Sequence, residues 1–197
     1  GKTVFRAKCC GEEGHSALAP RYMNAIYVAS KLVESLQQVQ HDLRDYGAQD
    51  SGYDIPYTTV HVGKISGGTA LNIVPNQCVV DYEIRHLAQD SSQRIQAQIL
   101  ESIQSEFQQH IDVEEVNQYP GLSTSSTIEA VQFIQTLLPK ETSLGNISFG
   151  TEGGLFQDAL TCPVVVCGPG DIAVAHKPNE YVAIEQLNQC KKKKKKL

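Results

Sequence analysis

Six hydrophobic segments of alternating period lie between residues 4 and 116, and their order constrains the fold more than any other feature. From Val4 to Cys10, Phe5, Ala7 and Cys9 alternate with Arg6 and Lys8, the period of two that predicts a half-buried strand. Ala25, Val28, Ala29, Leu32, Val33 and Leu36 then recur at helical spacing, with Asn24 placed as an N-cap. Residues 41–56 are polar and glycine-containing and predict a loop. Strands follow at Thr58–Ile65 and Gln77–His86, the second with Cys78, Val80, Tyr82 and Ile84 on one face. Ile95, Ile99, Ile103 and Phe107 mark a second helix, opened by Asp90 and Gln93 at capping-box spacing. Ile111–Val116 closes as a last strand. The order β-α-β-β-α-β predicts an α+β sandwich of the split βαβ kind over residues 1–117.

The pattern changes after Tyr119-Pro120-Gly121. Ser126 with Glu129 predicts a helix start, and Ile128, Val131, Ile134, Leu137 and Leu138 supply its apolar face. Ile147–Phe149 and Val164–Cys167 predict two short buried strands. Residues 118–190 therefore read as an incomplete α/β piece, since two strands are too few for a sheet covered on both faces.

Composition narrows the function classes. Six of the 17 basic residues form the run Lys191–Lys196, leaving 11 against 22 acidic residues. An acidic body disfavours nucleic-acid binding, which depends on neutralising phosphates, and no strand carries the basic aromatic pattern of an RNA-binding split βαβ domain. Residues 191–197 read as an appended tag rather than an interaction tail. The six cysteines show no C-x-x-C spacing, which predicts reduced thiols packed as small hydrophobes. No apolar run approaches the ~20 residues of a membrane span, and no signal-peptide pattern opens the chain. A cytoplasmic protein with no nucleic-acid or membrane partner is expected.

Several residues stand out, each with a plain structural alternative. His176 follows a strand-like run and a Gly168-Pro169-Gly170 turn; it reads as a metal ligand or as a loop histidine. Glu180, four residues on, suits orienting that ring or simply facing solvent. His15 sits in a Gly-His-Ser turn, Asn72 at a strand entrance where turn chemistry alone would explain it. Arg85 suits a carboxylate ligand or a pair with Asp81 or Glu83. Thr151, Gly153 and Gly154 open a helix, where free N–H groups meet anions or where a tight turn needs glycine. His41, His61, His86 and His110 carry no motif.

Motifs in a fixed order supply a further reading. Gly14-His15-Ser16-Ala17 through Pro20 comes first, then Asn24-Ala25-Ile26, Val62-Gly63-Lys64-Ile65 with Gly67-Gly68, and Leu71-Asn72-Ile73-Val74-Pro75. Tyr82-Glu83-Ile84-Arg85, Gly150-Thr151-Glu152-Gly153-Gly154-Leu155-Phe156 and His176 through Val182 complete the series. Together they resemble the co-catalytic zinc amidohydrolases of the aminoacylase and carboxypeptidase family. The resemblance implies that residues 1–117 are the lid that also makes a homodimer, and that residues 118–190 close a catalytic domain whose first half has no counterpart here. It implies hydrolysis of an N-acyl amino acid with two zinc ions, or cobalt, in the intact enzyme. His176 would be a metal ligand, and His15 would reach the partner's site to stabilise the oxyanion. Asn72, Arg85, Thr151, Gly153 and Gly154 would bind substrate. By itself the chain would then be a non-catalytic dimerisation module.

Overall fold

Chain order in the computed structural model, which describes residues 1–139 and 142–194, begins with β1 (Lys2–Cys10), the two-residue β2 (Gly14–His15) and α1 (Ala25–Tyr46). It continues through β3 (Thr59–Gly67), the two-residue β4 (Ile73–Val74), β5 (Gln77–Arg85), α2 (Ser92–Glu101), the short α3 (Ser105–Gln108) and β6 (Ile111–Tyr119). The four long strands form one sheet in the order β3-β5-β1-β6, every neighbouring pair antiparallel. β1 and β3 therefore run the same way with β5 between them. β2 and β4 pair separately, Gly14 opposite Val74 and His15 opposite Ile73.

Period-two alternation decides which face of the sheet is covered. Phe5, Ala7 and Cys9 of β1 and Cys78, Val80, Tyr82 and Ile84 of β5 are buried under α1 and α2. Phe5 and Tyr82 stack with ring centroids 5.4 Å apart. From α1 come Ala25, Val28, Ala29, Leu32, Leu36 and Val39, and from α2 Ile95 and Ile99. Each fully buried aliphatic side chain contributes about 1.5–3 kcal/mol of transfer free energy. Ser35 donates to the Ile99 carbonyl at 2.7 Å and so ties α1 to α2 inside the layer. The main core cluster draws only on residues before 118.

Two helix boundaries differ from the sequence expectation. Asn24 caps α1 as expected, accepting from the Ile26 N–H at 2.8 Å, but the helix runs to Tyr46 instead of ending near residue 41. Val39 and Leu43 extend its apolar stripe, and burial outweighs the polar composition between them. α2 is capped by Ser91, which accepts from the Arg94 N–H at 3.3 Å. Asp90, the expected cap, instead accepts from the buried Thr58 hydroxyl.

The second half departs further. Its elements are α4 (Glu129–Thr136), α5 (Gly153–Leu160), a 3-10 turn at Ile172–Val174 and α6 (Ile184–Lys194). Neither Ile147–Phe149 nor Val164–Cys167 is a strand, and none occurs among the described residues after Tyr119. A strand exists only through hydrogen bonds to a neighbour, and the β-branched runs find none. Ile147, Phe149 and Val166 are exposed. The incomplete α/β piece is thus helical and irregular here. α4 starts at Glu129, not Ser126, because the Ser125 hydroxyl closes a local turn with the Thr127 N–H. α6 continues into the first lysines of the terminal run, and the rest of that run lies outside the described residues.

Candidate functional site

Where β1 ends, the chain turns at Gly11, whose N–H donates to the Asn76 carbonyl at 2.9 Å, and Glu12 donates to Met23 at 2.8 Å. Gly14 lies flat against the Tyr22 ring, where a Cβ would collide, so glycine is required. His15 follows on β2 with its side chain exposed. Its Nδ1 accepts from the Ala17 N–H at 3.1 Å. An imidazole nitrogen that accepts carries no proton, so the neutral ring bears its hydrogen on Nε2 and offers it outward. Ser16 N–H donates to the Asn72 carbonyl at 3.0 Å, which brings Asn72 beside His15. The Asn72 side-chain amide makes no hydrogen bond among the described residues. Glu13, Gly14, His15, Asn72 and Ile73 line a shallow hollow of about 310 Å³. Leu71, next to Asn72 in sequence, is fully exposed.

Arg85 and the glycine turn occupy the other end of the sheet. Arg85 Nε donates to Glu83 Oε1 at 2.7 Å and Nη1 to the Ser148 carbonyl at 3.3 Å. Lys2 reaches the second Glu83 oxygen at 3.1 Å. Burial pushes the Glu83 carboxyl up, but bonding to Arg85 and Lys2 outweighs it and leaves the group below its ordinary range. Close by in sequence to Ser148, the Thr151 hydroxyl accepts from the Gly153 N–H at 3.1 Å, spending one of the free N–H groups at the start of α5. Gly153 and Gly154 are buried. A Cβ on Gly154 would sit 2.5 Å from the Pro120 carbonyl oxygen, and one on Gly153 2.9 Å from Leu122. These glycines thus let α5 pack on the chain leaving β6.

His176 is exposed and adopts a left-handed backbone, φ 58°, a conformation uncommon outside glycine. Glu180 does not orient its ring: Oε2 accepts from the His176 main-chain N–H at 3.0 Å. Among the described residues no group of three His, Cys, Asp or Glu side chains is arranged to hold a metal ion. A single imidazole does not fit a zinc centre, which takes three or four protein ligands.

The structure therefore joins His15 to Asn72, and Arg85 to the segment that leads into Thr151, Gly153 and Gly154. It keeps the two groups apart. Cys9 pairs with Cys78 and Lys2 with Arg85 in the β1–β5 register, so the ends lie on the order of 25 Å apart at strand rise per residue. Glu13, which carries no motif in the sequence, stands two residues before His15 and lines the same hollow.

Residues 1–111 match the family model described as the peptidase dimerisation domain. Over 206 residues the chain is 34% identical to the acetylornithine deacetylase of Myxococcus xanthus, covering 96% of this chain and 50% of that protein. With the acetylornithine deacetylase of Aliivibrio fischeri it shares 28% identity over 193 residues, 95% of this chain and 50% of the other. The chain spans about half the length of the curated relatives it matches. Among solved structures, aminopeptidase PepT of Bacillus cereus superposes with a TM-score of 0.70 at 22% identity, over 98% of this chain and 48% of that one. At that identity the likeness is one of fold.

Proposed function

We propose, from the premise that this chain belongs to the peptidase dimerisation domain family, that it works as part of a metal-dependent amidohydrolase that releases acetate from N-acetyl-L-ornithine. The first 117 residues are the dimer-forming lid, and residues 118–190 belong to the catalytic domain. Support for the substrate comes from relatives called acetylornithine deacetylase, one of them 34% identical. Support for the chemistry comes from His15, whose occupied Nδ1 fixes a donating Nε2–H toward an open hollow.

Amide hydrolysis passes through a tetrahedral oxyanion, and a preorganised N–H donor stabilises it more than it stabilises the ground state. His15 supplies that donor and the Asn72 amide steadies the acyl group beside it. Arg85, partly neutralised by Glu83, receives the substrate α-carboxylate through a remaining guanidinium N–H. An acylated amino acid is on the order of 10 Å long by its bond lengths, too short to span both ends of the sheet. His15 and Arg85 of one subunit therefore serve different active sites, and a homodimer supplies each site with both. The described residues do not make a metal centre, so the zinc ions implied by the resemblance require ligands from elsewhere in the longer protein. His176 contributes one. The six free thiols suit a reducing compartment such as the cytoplasm.

The test is ornithine release from N-acetylornithine, measured on this chain alone and on the full-length polypeptide that contains it, each with added zinc. Full-length protein should turn over and the chain alone should not. Activity from the chain alone would refute the division of labour, and an inactive full-length protein would refute the substrate.

A further inference from the structure

Glu13 is the one carboxylate lining the His15 hollow, and it also lines the larger groove of about 560 Å³ that adjoins it. The groove is lined also by Arg6, Lys8, Lys64 and Asp81. Arg6 is engaged by Asp81 at 2.8 Å, while Glu13 makes no ion pair with any Lys or Arg among the described residues. It is flanked by the Gly11 and Glu12 hydrogen bonds on one side and by the close approach of Gly14 to the Tyr22 ring on the other. The exposed Glu13 thus sits directly between a hydrogen-bonded turn and β2. Asp81 also lines the groove but is taken up by Arg6, which leaves Glu13 as its one carboxylate without a cationic partner among the described residues.

We infer that Glu13 determines specificity: its carboxylate receives the cationic end of the substrate side chain while His15 meets the scissile carbonyl. The inference rests on the deacetylase reading and extends it to one subsite. Spacing supports it. Two residues of chain span at most about 7 Å, and the path from the acyl carbonyl carbon to the δ-nitrogen of N-acetylornithine is on the order of 7 Å by bond lengths. One short segment therefore brings an N–H donor and an anion to the same hollow, within reach of the substrate's carbonyl and its ammonium. A charge-assisted hydrogen bond of this kind favours the cationic substrate over a neutral isostere by about tenfold or more.

The experiment compares kcat/KM for N-acetylornithine and for N-acetylnorvaline, which lacks the δ-amine, in the full-length polypeptide. Glu13→Gln should lower the ornithine-to-norvaline ratio about tenfold, mainly through KM, and Glu13→Asp should restore part of it. His15→Ala should lower both substrates together. An unchanged ratio in Glu13→Gln, or a wild-type protein that hydrolyses both substrates without preference, overturns the inference and leaves the amidohydrolase reading standing. A wild-type protein inactive on both overturns that reading and the inference with it.

Discussion

His15 is held by one local hydrogen bond, and its role depends on which nitrogen that bond occupies. Ala17 N–H sits on Nδ1 at 3.1 Å, leaving Nε2–H to donate. Loss of an oxyanion donor costs about 10²–10³ in rate. His15→Ala in the full-length protein should therefore depress kcat by that factor while metal content, read by atomic absorption, stays at the wild-type level. Equal loss of metal would make His15 a structural residue of the metal domain instead. Arg85 illustrates the opposite case. Of the two readings open to it from sequence, the structure realises the pairing with Glu83, and the guanidinium retains further N–H donors.

At the scale of elements, β1 and β5 lie side by side in the sheet and bury on its covered face side chains that resist ionisation. Burial, reinforced by neighbouring Cys78, pushes the Cys9 thiol up from 9.0 to about 12. Tyr82 is also raised, by burial against a smaller opposing hydrogen bond to Gln96. An acid whose native pKa lies above its unfolded value keeps full stability below the unfolded pKa and loses it as pH rises beyond. The unfolded chain begins to release the Cys9 proton near pH 9, where the native core still retains it. Stability should fall from pH 9 toward 12, by up to about 1.4 kcal/mol per pH unit for each group. Urea midpoints at pH 8 and 10.5 read this directly, and Cys9→Ala should flatten the decline. A midpoint independent of pH over that range would contradict the assignment.

Element boundaries also show where sequence signals compete. The alternation of β1 and β5 and the Asn24 cap were legible because each signal is local and undisputed. α1 overran its expected end because Val39 and Leu43 bury against a core assembled from distant strands. Asp90 lost its cap role to Ser91 because Thr58, more than thirty residues away in sequence, claims its carboxylate. No periodicity count contains that partner.

For the whole molecule, the arrangement of the core predicts independent folding and association of the first 117 residues. The main buried cluster closes before residue 118, while β3 and β6 leave sheet edges without a strand neighbour among the described residues. An unpaired edge is a template for a second strand, and identical chains meet most readily about a two-fold axis. Residues 1–117 should sediment at twice the monomer mass at tens of micromolar. A monomer under those conditions would count against the lid as the dimerising unit.

The sequence by itself determined the four long strands, the two helices over them and which histidine, asparagine and arginine to propose for the site. Each follows from residue type and spacing along a few turns or pleats. Only the tertiary structure decided that these residues divide between opposite ends of one sheet. The β1–β5 register sets that distance, and a register is a relation between segments some seventy residues apart. The same holds for Glu13, which looks like an ordinary loop carboxylate until β2 pairs with β4 and makes it a wall of the His15 hollow. Val164–Cys167 gives the converse lesson: β-branched residues favour a strand, but without a neighbouring ladder the backbone hydrogen bonds that define one do not form.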